Sequence, residues 1–257
     1  MFKKHTIIGA FSLILGLSSM AQSSFTEPTD KKWHYLTDVY LMFVNIDGET
    51  GLDNTLTIPI DANPGDIFSN LKIGGMLYFE ANTNKWAITS DLVFMNLKSE
   101  VTPGTLLHSG TLKTNQFIWE TEGMYRVLPF LEFGIGGRLN NLAVGADVRR
   151  NAFPAGTYEY SNERSALWFD PIVATRIAHN FGQKWFAQFR ADIGGFGLGS
   201  DLTWQLQGYA GYHFTHVFQI TAGYRLLSID YDRTTANDEF LFDVNEFGPV
   251  IRFGFNF

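Results

Sequence analysis

The sequence predicts an all-β chain, a transmembrane antiparallel up-and-down β-barrel of about ten strands, with eight and twelve as the neighbouring counts. Three observations predict it. Apolar and polar residues alternate over most of the chain, short links alternate with long ones, and aromatic side chains abound while mean hydropathy stays at −0.04.

The alternation is clearest at the end of the sequence, where Ile251, Phe253, Phe255 and Phe257 interleave with Arg252, Gly254 and Asn256. A period of two gives a strand one apolar and one polar face. The segment before it repeats the design, with Phe218, Ile220, Ala222, Tyr224 and Leu226 set against Gln219, Thr221, Gly223 and Arg225. Trp204, Leu206 and Tyr212 alternate in the same way with Gln205, Gln207 and Gly211, and Trp185, Phe189 and Ile193 with Gln188, Arg190 and Asp192. Further strands fall near 165–178, 130–142, 112–126, 85–97, 71–81 and 33–46. These lengths match or exceed the roughly 9–11 residues that a tilted membrane-spanning strand needs.

Short links are expected at 82–84, 127–129, 180–183 and 215–216, and longer ones at 47–70, 98–111, 143–164 and 231–242. The link at 195–201 is the shortest of the second set. Short turns at one end and long loops at the other are the asymmetry of outer-membrane barrels, and an even strand count fits both ends of the chain on one side.

Composition agrees. The chain holds 24 Phe, 10 Tyr, 6 Trp and 25 Gly, yet hydropathy averages near zero. Lipid-facing and lumen-facing residues cancel in a barrel, while aromatic girdles mark both interfaces. The first 21 residues read as a secretory signal peptide, with Lys3 and Lys4, an apolar run from Ile7 to Leu17, and small residues before a cleavage point after Ala21. A polar lead-in follows over 22–32, and the barrel itself spans 33–257. Taking Lys3 and Lys4 from the 19 basic residues leaves 17 against 26 acidic ones, a net of −9. That excludes nucleic acid as a partner, which needs a basic surface. The chain has no cysteine, so no disulfide supports it, and a closed hydrogen-bonded barrel must supply its stability.

Register also assigns the lumen. With the aromatic face toward lipid, Asp38, Glu80, Asp91, Glu120, Glu122, Glu132, Asp170 and Asp192 point inward, together with Arg138, Arg176, Arg190, Arg225, Arg252 and Lys72. Facing lipid near the midplane would cost roughly 2–4 kcal/mol for each Arg or Lys. Two readings follow: an ion-pair network that fills the barrel and holds its shape, or the lining of a narrow path for a small solute. Barrels of about eight strands are filled by their own side chains, which places ten near the filled end.

Other motifs carry less. Within 51–70, Leu56 to Ile60 is a candidate extra strand and Pro64 to Asn70 a candidate helical turn, with Pro near its start. This segment either folds back to narrow the barrel mouth or is a mobile surface loop. Catalysis needs a base within reach of its nucleophile. His108 is the only histidine on an expected outer link, and Asp147, Asp201, Asp230 and Asp232, on outer links or strand ends, read as solvated, so no enzyme is expected. His213 and His216 lack a third ligand nearby in sequence, and neither a metal nor a cofactor is expected. The glycines of 195–199 do not match a phosphate loop and read as a tight outer turn, and Gly248-Pro249 should produce a bulge or kink in the last strand.

Several runs together resemble a family of bacterial outer-membrane β-barrel proteins labelled porin-like. They are Asp192-Ile-Gly-Gly-Phe-Gly-Leu-Gly-Ser-Asp-Leu-Thr-Trp-Gln, Gly223-Tyr-Arg-Leu-Leu-Ser-Ile-Asp-Tyr231, Phe247-Gly-Pro249, Asp91-Leu-Val-Phe-Met-Asn-Leu and Trp168-Phe-Asp170-Pro171. The resemblance implies a barrel in the outer membrane but no particular activity; outer-membrane lipid is the expected partner and a monomer the expected state. Phe253, Phe255 and Phe257 resemble the signal by which the barrel-assembly machinery recognises its clients, which implies that machinery as a transient partner.

Overall fold

The computed structural model describes residues 32–52, 57–101, 107–151, 157–235 and 238–257. The expected signal peptide over 1–21, and all of the lead-in but Lys32, lie outside these residues. The described elements are β1 (His34–Met42), β2 (Asn45–Leu52), β3 (Thr57–Ala62), α1 (Pro64–Asn70), β4 (Leu71–Asn82), β5 (Trp86–Val101), β6 (Leu107–Leu128), β7 (Leu131–Asn151), β8 (Thr157–Phe181), β9 (Trp185–Gly194), β10 (Leu202–His213), β11 (Phe218–Thr235) and β12 (Asp238–Asn256). Each strand from β4 to β12 pairs antiparallel with the next, and β1 pairs with both β4 and β12. Ten strands thus close into a barrel, and β2 and β3 are added along the outer half of β12. The seam closes between Tyr35 and Phe257, whose backbones exchange hydrogen bonds of 2.9 and 3.0 Å.

Strands β1 and β2 lie on β12 in one unbroken register, since Met42 faces Val250 and Asn45 faces Phe247. The break between them falls at Phe43-Val44, opposite Pro249-Gly248. Proline has no N–H for the ladder, but the Phe43 amide still donates to the Pro249 carbonyl at 2.9 Å. No register shift forms there, so of the bulge or kink expected from Gly248-Pro249 the bulge is corrected. Gly248 is needed for a different reason: a Cβ on it would lie 2.0 Å from the Phe43 carbonyl oxygen.

The short links occur where alternation placed them, at residues 83–85, 129–130, 182–184 and 214–217. The long links over 98–111, 143–164 and 231–242 are corrected, because most of each is strand. The 22, 21 and 25 residues of β6, β7 and β8 carry the wall far past the membrane, as do the 18 and 19 of β11 and β12. At about 3.3 Å per residue, β6 runs about 73 Å, about twice the roughly 35 Å that a strand tilted by about 45° needs to cross a belt of about 25 Å. Strands β9 and β10, with 10 and 12 residues, stop near the belt's edge.

Polarity inverts along these long strands. In β11, Tyr224 and Leu226 face outward and Arg225 inward, whereas farther out Ser228 and Asp230 face outward while Leu227, Ile229 and Tyr231 are buried inside. In β12, Phe253 and Ile251 face out, but beyond Phe247 it is Val244, Phe242 and Phe240 that turn in. Lipid surrounds the first part and water the second, so the apolar face changes sides. The outer boundary of the belt therefore falls between Leu226 and Ser228.

The segment over 51–70 is folded where described. Strand β3 pairs with β2, and the Asn63 side chain caps α1 by accepting from Gly65 N at 2.8 Å and Asp66 N at 3.2 Å. Asp66 returns the contact by accepting from Asn63 N, which completes a capping box after which Pro64 opens the helix. Ile67 is buried in the interior apolar cluster, while Phe68 meets Phe43 edge-on at 5.6 Å.

Candidate functional site: the lumen

Of the fourteen charged positions expected to face inward, thirteen are buried. Lys72 is the correction. A register shift between Leu71 and Ile73 takes it out of the inward row, and it is exposed at the rim beside Asn70 and Lys98.

The charged groups form two layers in the inner half of the lumen. Near the short turns, Arg176 Nη1 donates to Glu80 Oε2 at 2.5 Å and its Nε to Glu132 Oε2 at 2.6 Å. Arg126 grips Glu132 Oε1 with Nε and Nη2, at 2.9 and 2.7 Å. Arg252 lies among three tyrosine rings, 4.4 Å from the centroid of Tyr209, 4.8 Å from Tyr40 and 4.9 Å from Tyr78, with Asp38 Oδ2 3.6 Å away. Such a cage suits a guanidinium, which stacks on ring faces while keeping its in-plane donors.

At mid-height Arg138, which is 0% exposed, reaches across the barrel. It donates to Glu120 Oε2 at 2.6 and 2.9 Å, to Asp192 Oδ1 at 2.7 Å and to Thr203 Oγ1 at 2.8 Å. Arg190 bridges Glu120 at 2.6 Å, Asp192 at 3.1 Å and Glu122. Arg225 joins Asp91 at 3.2 Å and Tyr40 Oη at 3.0 Å, and the Tyr40 hydroxyl donates to Asp91 at 2.5 Å. Glu120, Glu122 and Asp192 converge closely enough to hold a metal ion. They bracket Arg138 and Arg190 instead, so guanidinium is the cation they hold. His213 and His216 are not part of this group.

Asp170, expected in the network, belongs to the mouth. It accepts from Ser200 N at 2.6 Å, Ser200 Oγ at 2.9 Å and Asn140 Nδ2 at 2.8 Å, while Trp168 Nε1 donates to Ser200 Oγ at 2.9 Å. This pins the 195–201 turn to β8. Gly199 makes the approach feasible, since a Cβ there would stand 2.3 Å from the Phe169 carbonyl oxygen.

Above the charged layers the lumen is apolar. Met42, Val44, Met95, Ile118, Leu227 and Val244 pack with Ile67 of α1, leaving a cavity of ≈ 20 Å³ where they meet Gln116, Glu246 and Arg225. Reading the charges alone missed this upper core, along with Tyr40, Tyr78, Tyr209, Thr203, Gln205 and Glu246. The inward parity that located Asp38 and Arg225 applies equally to them.

At the outer rim, Asp230 has its carboxyl pushed above the usual range by partial burial and by Asp243, Asp201 and Asp232. Lys113 pairs with Asp147 at 2.9 Å, which raises the ammonium and, together with Ser161, lowers the carboxyl. The side chain of His108 lies outside the described ones, although its backbone belongs to β6 rather than a loop. The four described histidine side chains, His34, His179, His213 and His216, sit at the short-turn end, opposite these acids.

No protein-family model matches the chain, and no curated protein matches it. Among solved structures it is similar to the CymD monoaromatic hydrocarbon channel, at 11% identity over 99% of this chain and 94% of that one, with a TM-score of 0.38. It is also similar to Ail, the attachment invasion locus protein of Yersinia pestis, at 10% identity over 89% and 100%, with a TM-score of 0.37. A third is the outer membrane protease OmpT of Escherichia coli, at 11% identity over 92% and 99%, with a TM-score of 0.44. By name these are a hydrocarbon channel, an attachment protein and a protease, so the shared barrel does not carry one activity. The closed antiparallel wall, the apolar outer belt and the short turns at one end make this chain an outer-membrane β-barrel as well.

Proposed function

We propose that the protein is a non-conducting, non-catalytic barrel that acts through the face it holds above the membrane. The carrying observation is the Arg138 layer, where buried guanidinium and carboxylate groups from β5, β6, β7, β9 and β11 meet across the lumen. Ten strands give a bore close to the size that side chains fill. The apolar core above this layer supports the same reading. Against catalysis stands the placement of every described histidine at the end opposite the rim acids, too far to act as their base. What remains for function is the raised wall of β6 to β8 and of β11, β12, β2 and β3. Outer-membrane lipid is the standing partner, and Phe253, Phe255 and Phe257 on β12 serve recognition by the assembly machinery. The barrel works as a monomer.

A second reading, a narrow path for a small solute, has one observation in its favour. Asp38 Oδ1, Arg252 Nε, Gln207 Nε2, Gln205 Oε1 and Asn140 Oδ1 are buried without a protein partner, and such atoms bind water.

Planar-bilayer recording of the pure protein decides between them. No reproducible unitary steps are expected. Recurrent steps whose ion selectivity changes in Arg225→Ala would overturn the filled-barrel reading.

A further inference from the structure

The β1–β4 ladder stops at Val39 opposite Leu77, although β1 runs on to Met42 and β4 begins at Leu71. Beyond Val39, β1 and then β2 follow β12 alone, so the wall has a lateral gap between 40–44 and 72–76. Its level is given by register. Leu41 lies opposite Ile251 and Ala222, and Phe43 opposite Pro249 and Tyr224, below the belt's outer boundary at Leu226. The gap therefore opens on the outer half of the hydrocarbon layer, and Leu41, Phe43 and Ile73 line its outside as exposed apolar side chains.

Hydrogen-bonding direction alternates along a strand. Tyr35 bonds toward β12, so the backbones of Tyr40, Met42 and Val44 turn toward β4, where the ladder offers them nothing. Unpaired backbone at membrane depth is tolerated only where protein covers it or a cavity adjoins it. Both hold here. Directly behind the gap lies the luminal cavity, lined by Met42 and Val44 from one edge, Met76 from the other, and Val93, Met95 and Leu227 behind. Helix α1 lies at the outer end of the gap, with Ile67 buried among the cavity's neighbours and Phe68 on the outer side against Phe43. Gly75, opposite Leu41 in the interrupted register, would meet no atom within 4 Å if given a Cβ.

We propose that this cavity is a binding site for the tail end of one acyl chain of an outer-leaflet amphiphile, which enters sideways between β1 and β4 when Ile67 of α1 withdraws. The lining chemistry selects the ligand: seven of the ten lining residues are thioether or aliphatic, and the polar three are already engaged, Gln116 with Glu246 and Arg225 with Asp91 and Tyr40. At ≈ 20 Å³ the closed cavity has room for about one or two waters, so only the last few carbons of the chain enter, in the volume that the Ile67 side chain vacates. Three methionines in the lining supply the plasticity for that exchange. The charged layers below stop the chain from passing through, so the site binds from the membrane without conducting. It is independent of whether the lumen carries ions.

The test uses the full mature protein in liposomes with palmitic acid carrying an ω-terminal diazirine. Photolysis followed by residue-level mass spectrometry should place adducts on Met42, Val93 and Met95, which face the lumen. Adducts confined to the lipid-facing Leu41, Ile73 and Phe94 would overturn the proposal. The chain has no cysteine, so Phe43→Cys with Phe68→Cys can be joined by a short bismaleimide to pin α1. Pinning should lower luminal adducts about tenfold while lipid-facing ones persist, since a site shut in one state loses its competent population. Unchanged luminal labelling in the pinned, folded protein would remove α1 as the plug and overturn the lateral route.

Discussion

Trp168 of β8 stacks on Tyr231 of β11, with ring centroids 4.1 Å apart and planes 20° from parallel, although β9 and β10 stand between these strands in the wall. The contact exists because β9 and β10 end early. Above them the tall edges of β8 and β11 face each other directly, and the aromatic pair, backed by Phe242, fills the space. Below it the 195–201 turn is tied to Asp170, so the low side of the barrel is sealed by side chains rather than by strand pairing.

Trp168→Ala should destabilise the folded barrel by about 3–5 kcal/mol, the usual cost of emptying a large buried aromatic site. Urea unfolding in lipid vesicles would measure it. Protease sensitivity of the outer parts of β8 and β11 should rise, and Trp168→Phe should retain much of the packing while losing the Ser200 hydrogen bond.

Arg138→Ala leaves Glu120 and Asp192 buried with less compensation. Breaking a buried pair on one side costs about 3–5 kcal/mol. Adding Glu120→Gln should recover part of the loss, because it removes the carboxylate to which Arg138 donates twice. A double-mutant cycle in unfolding free energy checks this, and additive losses would show that the two residues do not act as a unit.

Gly199→Ala should loosen the outer turn, since its Cβ would press on the Phe169 carbonyl and on Asp170 Oδ1, 2.3 and 2.5 Å away. Gly123→Ala, where a Cβ meets nothing within 4 Å, is the matched control and should stay within about 0.5 kcal/mol of wild type. Hydrogen exchange at Ser200, whose amide donates to Asp170, would report the difference.

Asp230 makes the outer wall sensitive to pH. Its carboxyl is raised in the folded state by partial burial and by Asp243, Asp201 and Asp232, so its ionisation opposes folding. The favourable contribution is full below the unfolded carboxylate range and is lost as pH rises through the folded value. Asp230→Asn should therefore stabilise the wall slightly at neutral pH and make no difference once the acid is protonated. Paired unfolding curves at pH 7 and in the acid range would show it, with salt reducing the gap because the group is mostly exposed.

Much of this was legible in the sequence. The alternation of Ile251, Phe253 and Phe255 with Arg252 follows from lipid on one side of the wall and enclosed polar groups on the other, and that contrast determined the ten-stranded barrel, its short turns and the inward set from Asp38 to Arg252. The extent of the strands was less legible. Past Leu226 the alternation continues with its sign reversed, and a reading keyed to an apolar outside ends the strand near Asp230 and takes 231–242 for a loop.

Tertiary structure alone decided which inward charges meet. Arg138 and Asp192 are 54 positions apart and join only because barrel closure and shear bring their levels together. It also decided that β1 leaves β4 to follow β12, and that α1 lies at the opening this creates. Local alternation sets which way a side chain points, but pairing partners depend on how strands of unequal length share one closed circumference, and no single segment encodes that.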